Sequence, residues 1–595
     1  MNKNRKVTLF TTGGVLFIIL FLVIIDLPYR TQIPSLSELK VLSIPIQDQL
    51  RTASHKAFIN PSADNLGSLG MAYHSSSMYE QASICYKLAI KKNDSKWIWS
   101  YCLGYLNMEM GNSENAIANF RTVTKENPKA FHGWFYLGQA YQKMGKNDNA
   151  EIAYEKIGLW SGKKQGAKSS SRLDYFPLNY YAKCQLARIY LNTNRTESAE
   201  NLLNEIVQKN KSFGLAYRLL GSVSRLKGDS LLSKKYVVRS NDLLNLGSPV
   251  DTILDQIALQ SRSDSYLLKQ IDEADKGRYI DLELKLVNQG LKFMSDNKYL
   301  ISKAIILYLK TSDAKQALPL LRQHFQLFNN DFNELKHVAN LLYEKKYFAQ
   351  SGLYYSRVLE LQPEDTDIQV SLVLGTFYMG QKQKAIGLMD EYIKKESENP
   401  KVVANAVVVL LAMNEFEKAE FFLEKLKHLS PSGSKTLLLS GKMAQQKGNI
   451  QEAYKFYESA FNKNPVDILC MKALSDVLMR QKLWKNAIVH FKKSMEYYPN
   501  EPYLLEILGT LLVVCPDIEL RNYKEGKEYL ERAFFHKDCP TETMIASGKS
   551  LAEAYADLGD KQSATAYLKL VTDLAENLHL PQEYLDKLNK KIKNM

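Results

Sequence analysis

The sequence predicts an all-α chain: a right-handed superhelical α-solenoid of about fourteen short helix hairpins, preceded by one transmembrane helix. Three observations carry that expectation. Leucine–glycine pairs and alanines recur on a 34-residue grid over much of the chain. Only 29 glycines and 17 prolines punctuate 595 residues, which favours long runs of helix over strands and turns. Near the start, nineteen consecutive positions, Val7 to Ile25, carry no charge.

That uncharged run is the first element. At about 1.5 Å per residue it makes a helix about 28 Å long, close to a hydrocarbon core of about 30 Å. Lys3, Arg5 and Lys6 precede it, and the first charge after it is Asp26. This asymmetry predicts a single-pass anchor with residues 1–6 in the cytoplasm and the body on the extracytoplasmic side, periplasmic in a Gram-negative cell. A cleaved signal peptide is the competing reading. The apolar run is longer than the usual signal core, and DLPYR follows it where a small-residue cleavage site would stand. Residues 26–62 then read as a juxtamembrane linker or helix.

From about residue 63 the repeat takes over. Leu69-Gly70, Leu103-Gly104 and Leu137-Gly138 are spaced by 34 residues, and Ala82, Ala116 and Ala150 follow each leucine by thirteen. An aromatic comes four residues later: Tyr86, Phe120 and Tyr154. Trp134, Leu137, Gly138 and Tyr141 mark one amphipathic helix, and Ala150, Ala153, Tyr154 and Ile157 mark a second after a Gly-Lys-Asn-Asp break. One such pair cannot bury both faces alone, so the pairs must stack. Leu186, Ala199 and Leu220-Gly221 extend this first array to residue 244, past a basic Gly/Ser/Lys-rich insertion at about 160–178. Residues 245–300 keep only one degenerate copy, around Gly277 and Leu286. A second array occupies 301–580, with Ala317, Ala385, Ala419, Ala453 and Ala487 on one grid, Ser351 in the missing place, and Pro363, Pro431, Pro465 and Pro499 twelve residues after those marks. Residues 581–595 read as a polar capping helix or tail.

Stretches such as WFYLGQAYQKMGKNDNAEIAYEKI (Trp134 to Ile157) and GKMAQQKGNIQEAYKFYESAFNKNP (Gly441 to Pro465) resemble the tetratricopeptide repeat (TPR). NPSADNLGSLGMAYHSSSMYEQASICYKLAI (Asn60 to Ile90) is similar to the opening of membrane-anchored bacterial TPR proteins associated with cytochrome and electron-transfer gene products. The TPR resemblance implies that first helices line a concave groove. Carried onto this chain, the groove positions include His74, Tyr101, Tyr105, His132, Phe135, Gln139, Arg188, Arg218 and Arg225. Tyr, Phe and Arg are effective anchors at interfaces, so such a groove could hold an extended or helical peptide carrying acidic groups.

Catalytic and metal signatures are missing from the sequence: no C-x-x-C, no H-E-x-x-H and no G-x-S-x-G. The run from Gly162 to Ser169 imitates a phosphate loop with the wrong spacing. No cofactor, metal site or catalytic residue is expected. Six scattered cysteines read as small core residues, although Cys85 and Cys102, on adjacent helices, could pair outside the cytoplasm. The net charge of +14 is spread over lysines interleaved with acids, as in KKNDSK and LEKLKH, so nucleic acid is not an expected partner. The expected function is a membrane-anchored, non-enzymatic scaffold that binds proteins or peptides. The alternative is an assembly factor or chaperone for a cytochrome, electron-transfer or cell-surface polysaccharide system.

Overall fold

A computed structural model describes residues 26–36, 41–93, 95–158, 177–243, 249–276, 279–311 and 314–577, with 583, 586 and 590. The expected N-terminus and transmembrane helix (1–25), nearly all of the basic insertion and most of the C-terminal tail lie outside the described residues. Among the described residues there is no strand, and no helix is long and apolar enough to cross a membrane.

The chain divides into two compact units at Leu300/Ile301. The first contains α1 (Ile44–Ile59), α2 (Ala63–His74), α3 (Tyr79–Lys92), α4 (Trp97–Glu109), α5 (Ser113–Glu126), α6 (Phe131–Lys143), α7 (Asn147–Gly158), α8 (Leu178–Asn192), α9 (Thr196–Lys209), α10 (Gly214–Leu226), α11 (Ser230–Asp242), α12 (Thr252–Leu259), α13 (Asp264–Lys276) and α14 (Ile280–Leu291). From α2 to α11 the helices pair in succession as antiparallel hairpins, and α13 pairs with α14. The division falls within α15 (Lys298–Lys310). The second unit continues with α16 (Leu318–Leu327), α17 (Phe332–Glu344), α18 (Phe348–Leu361), α19 (Thr366–Tyr378), α20 (Lys382–Lys395), α21 (Pro400–Ala412), α22 (Phe416–Leu429), α23 (Ser434–Gln446), α24 (Ile450–Lys463), α25 (Ile468–Arg480), α26 (Trp484–Tyr497), α27 (Pro502–Val514), α28 (Tyr523–Phe534), α29 (Thr541–Asp557) and α30 (Lys561–Asn577). Its hairpins also follow chain order, from α17/α18 to α29/α30.

Most of the described hairpin turns close the same way. After α6, Gly145 takes φ +71°, its N–H donates to the Gln142 carbonyl, and the Lys146 N–H donates to that of Tyr141. This left-handed residue satisfies carbonyls that the helix end would leave bare. The same conformation recurs at Ser77 and Gly111, at Asn194 and Gly228, and at Lys346, Gly380, Asn414, Gly448 and Lys482. Within each of these groups the spacing is 34 residues.

Between the two helices, the Leu-Gly glycine is a contact surface. A Cβ at Gly138 would stand 2.6 Å from the Tyr154 ring, and one at Gly441 would stand 2.5 Å from Tyr457. The aromatic of the second helix therefore lies flat on the first helix of its own hairpin. It also reaches the next pair, since Tyr86 stacks on Trp99 and Phe120 on Tyr136. Helices of 12–14 residues are marginal alone in water. Burial of rings such as Tyr86, Phe120 and Tyr154, at about 1.5–3 kcal/mol each, is what holds them. In the first unit this core is continuous from Tyr101 to Val223.

Cys85 and Cys102 do not pair. Both are free, fully buried thiols, and burial pushes both up from the usual cysteine range. They serve as small core residues.

Candidate functional site

The first helices of successive hairpins pack on one another as well as on their own partners: α2 on α4, α4 on α6, α6 on α8 and α8 on α10. They form one continuous inner row in the first unit, and most of the residues expected to line a groove stand on it. In its first three hairpins the row is covered by the chain itself. Residues 249–276, in the stretch that breaks the repeat pattern, lie against α1, α2, α4 and α6.

The contact is polar and specific. Asp251 caps α12 by accepting from the Ile253 and Leu254 N–H groups at 3.0 and 3.3 Å. The same carboxylate, 5% exposed, accepts a hydrogen bond from the Tyr101 hydroxyl. His132 donates through Nε2 to the Val250 carbonyl at 2.9 Å. Ser261 donates to the Ser75 carbonyl at 2.6 Å, Gln49 to that of Gln260 at 2.8 Å, and Arg262 to that of Pro45 at 3.2 Å. Tyr266 from α13 sets its ring edge-on to His74, with centroids 6.3 Å apart.

His74 is fully buried. Its Nδ1 lies 3.3 Å from the Tyr86 hydroxyl and its Nε2 lies 2.6 Å from Glu109, which Lys269 of α13 also approaches at 3.6 Å. Burial alone would raise the Glu109 carboxyl, but His74 and Lys269 outweigh it, and its pKa falls below the ordinary value. Asp255, one turn into α12, is pushed up to about 7 by burial, then by Asp251, with Lys285 opposing. These pairings satisfy buried polar groups.

The nine expected groove residues therefore separate. His74, Tyr101 and His132 bind or pack against residues 249–276. Tyr105, 6.4 Å from His74 and 5.3 Å from Tyr136 by ring centroids, is enclosed with them, and burial raises its phenol. Phe135 is a core residue between Tyr136 and Tyr154. Gln139 is half-buried. Arg188, Arg218 and Arg225 are exposed, with Arg188 donating to Gln185 at 3.1 Å.

In the second unit the first helices α19, α21, α23 and α25 likewise stack on one another. Their inner positions hold lysines that sequence reasoning passed over: Lys401, Lys435, Lys442 and Lys472. Lys435 is half-buried and donates to Asn405 Oδ1 at 2.7 Å, while Asn405 donates to the Thr366 carbonyl at 3.1 Å. Beside them, a cavity of about 20 Å³ between α19, α20 and α21, lined by Val370, Met389, Tyr392 and Val409 among others, holds no more than a water-sized guest. Among the described residues, no group of three or more His, Cys, Asp or Glu side chains could hold a metal ion.

A chain of stacked antiparallel helix pairs with a shared inner row is a helical-repeat protein. Two segments match tetratricopeptide-repeat family models, residues 101–163 in the first unit and 550–578 in the second. Segments that match the tetratricopeptide repeat thus occur in both units. It is 21% identical over 476 residues to a TPR repeat-containing protein of Methanocaldococcus jannaschii, covering 74% of this chain and 75% of that one. It is 20% identical over 223 residues to the BBSome complex member BBS4 of Bos taurus, covering 37% of this chain and 43% of that protein. Among solved structures, yeast Tom70 aligns over 77% of this chain and 98% of its own at 14% identity and a TM-score of 0.29. YrrB, described as a TPR protein with an unusual peptide-binding site, aligns over 32% and 96% at 19% identity and a TM-score of 0.26.

Proposed function

We propose that this chain is a membrane-tethered, non-enzymatic scaffold that binds protein or peptide partners on the inner row of its repeat array. The uncharged run from Val7 to Ile25 supplies the tether, and Lys3, Arg5 and Lys6 before it keep the N-terminus in the cytoplasm with the repeats on the other side. The observation that carries the binding role is the stacking of first helices in each unit, which sets side chains from successive repeats along one face. In the second unit that face offers long cationic side chains, with Lys401 and Lys472 exposed.

Crosslinking of the full-length protein in its native membrane, followed by identification of the captured chains, tests the scaffold role. Recurrent protein partners are expected, and their absence at saturating crosslinker overturns it. Protease treatment of intact spheroplasts tests the orientation, since a protected repeat array would refute an extracytoplasmic body.

A further inference from the structure

The uncharged run ends at Ile25, and Asp26 is the first charge beyond it. The residues that follow are fastened to one end of the first unit. Asp26 accepts from Lys92 at the end of α3, and the Tyr29 hydroxyl donates to the Lys91 carbonyl at 3.4 Å. The Lys92 ammonium also lies 4.5 Å from the centre of the Tyr29 ring. Arg30 donates to the Ile59 carbonyl, at the end of α1, at 3.2 Å. Asp26 to Arg30 are helical and span about 6 Å along the axis. The C-terminal ends of α1 and α3 are thus tied within one helical turn of the point where the run ends.

The two sides of α1 differ. The side holding Ile46, Leu50, Ser54 and Ala57 is buried, and α2 packs against the helix. At 3.6 residues per turn the opposite side carries Ile44, Asp48, Arg51, His55, Phe58 and Ile59, all exposed. Its apolar members stand at the two ends: Ile44 is 73% exposed, Phe58 54% and Ile59 60%. Val41, just ahead of the helix, is 90% exposed, and Leu27, next to Asp26, is 53% exposed. Between the apolar ends lie Arg51 and His55, with Lys56 at the edge of the face, and Asp48 is the one acid in the helix. Large apolar side chains left open around a basic middle are the pattern of a helix that lies in a lipid headgroup layer.

We propose that the outward face of α1 is a second membrane contact. It lies flat on the bilayer that holds the tether, with Ile44, Phe58 and Ile59 at the headgroup–acyl boundary and Arg30, Arg51 and Lys56 on anionic lipid headgroups. This rests on the tether reading of Val7 to Ile25. Distance selects lipid as the occupant. A bilayer of about 40–45 Å with a hydrocarbon core of about 30 Å leaves headgroup layers of about 5–8 Å on each side. A chain that quits the core at Ile25 sets Asp26 in that layer, and the end of α1 is one helical turn and one hydrogen bond further on. The helix is about 24 Å long. Held at Ile59 and apolar again at Ile44, it buries both ends only when laid parallel to the surface. Its basic middle is then attracted by anionic headgroups rather than by the acyl region.

The test uses the full chain in nanodiscs of equal parts phosphatidylcholine and phosphatidylglycerol, one chain per disc, read by hydroxyl-radical footprinting. Phe421, on α22 of the second unit and 67% exposed, is the internal reference. Exposure alone would oxidise Phe58 and Phe421 at nearly equal rates, whereas the membrane contact should slow Phe58 at least threefold relative to Phe421. Discs of phosphatidylcholine alone should at least double the oxidation of Phe58. So should Arg51→Glu with Lys56→Glu, which leaves the buried side of α1 untouched. A slowing of Phe58 below threefold in a chain that stays in the disc overturns the contact and leaves the tether standing. Protection that ignores both the lipid change and the charge reversal overturns it too, as does protection found only with two chains per disc, which assigns the face to a second copy. A full chain that fails to copurify with the discs refutes the tether, and the contact falls with it.

Discussion

Replacing Asp251 with alanine should release α12 from the inner row without unfolding the hairpins beneath it. The carboxylate has two duties. As a cap it accepts two N–H groups at the start of α12, a role worth about 1 kcal/mol when lost to alanine. As a buried acceptor it holds the Tyr101 hydroxyl, and a hydrogen bond to a charged group is worth about 1.5–3 kcal/mol. Together the loss is about 2–4 kcal/mol, which makes local opening about 30- to 700-fold more frequent at about 1.4 kcal/mol per decade. Native-state hydrogen exchange reads this directly: amides of residues 252–259 should lose protection by that factor, while those of α8 to α11 should barely change. Asp251→Asn keeps an acceptor for the cap but loses the charge, so it should fall between wild type and alanine. Tyr101→Phe removes the other half of the contact, and a double-mutant cycle should return a coupling of about 1 kcal/mol or more. Unchanged protection of α12 in Asp251→Ala, or additive effects in the cycle, would refute the reasoning.

Three further perturbations have defined outcomes. His490 is 7% exposed, donates to the Met471 carbonyl at 3.2 Å, and is pushed down to about 4, mainly by burial. Its ring stays neutral in the fold while an unfolded histidine titrates near 6.5, so its contribution is complete above about 6.5 and is lost as pH falls through about 4; thermal melts should show His490→Gln flattening that acid limb. Lys482 holds φ +57° at a turn where Gly448, one repeat earlier, holds +81°, so Lys482→Gly should stabilise the second unit by about 0.5–1 kcal/mol in urea titration. Gly441→Val should instead destabilise it by about 2 kcal/mol or more, because its Cβ must displace the Tyr457 ring, whose hydroxyl is tied to Gln445 at 2.7 Å.

The hairpins were legible because their causes are local and periodic. Gly138 and Tyr154 lie sixteen residues apart, and every repeat restates the pairing, so spacing alone predicts close contact between the two helices. The cover over the first three hairpins was not legible. Its partners, Tyr101 and Asp251 or Ser75 and Ser261, are separated by 150 and 186 residues and occur once, leaving nothing for periodicity to detect. Register placed His74, Tyr101 and His132 on first helices but could not say that the chain itself would lie against them. The inner lysines of the second unit escaped for a different reason. Lys401, Lys435, Lys442 and Lys472 are scattered over about seventy residues of charge-mixed sequence, and only the shared helix register brings them into one row.

The cover also bears on how the protein is made. Stacked hairpins have short-range contacts and fold as they emerge, whereas contacts across 150–217 residues must await the later segment. At a synthesis rate of about 5–20 residues per second, about 8–30 s separate the emergence of Tyr101 from that of Asp251. During that interval the first three hairpins are folded, and the aromatic face they will later enclose is open to water and to chaperones. Completion of the first unit is thus timed by the ribosome's arrival at residues 249–276, while the second unit can assemble hairpin by hairpin.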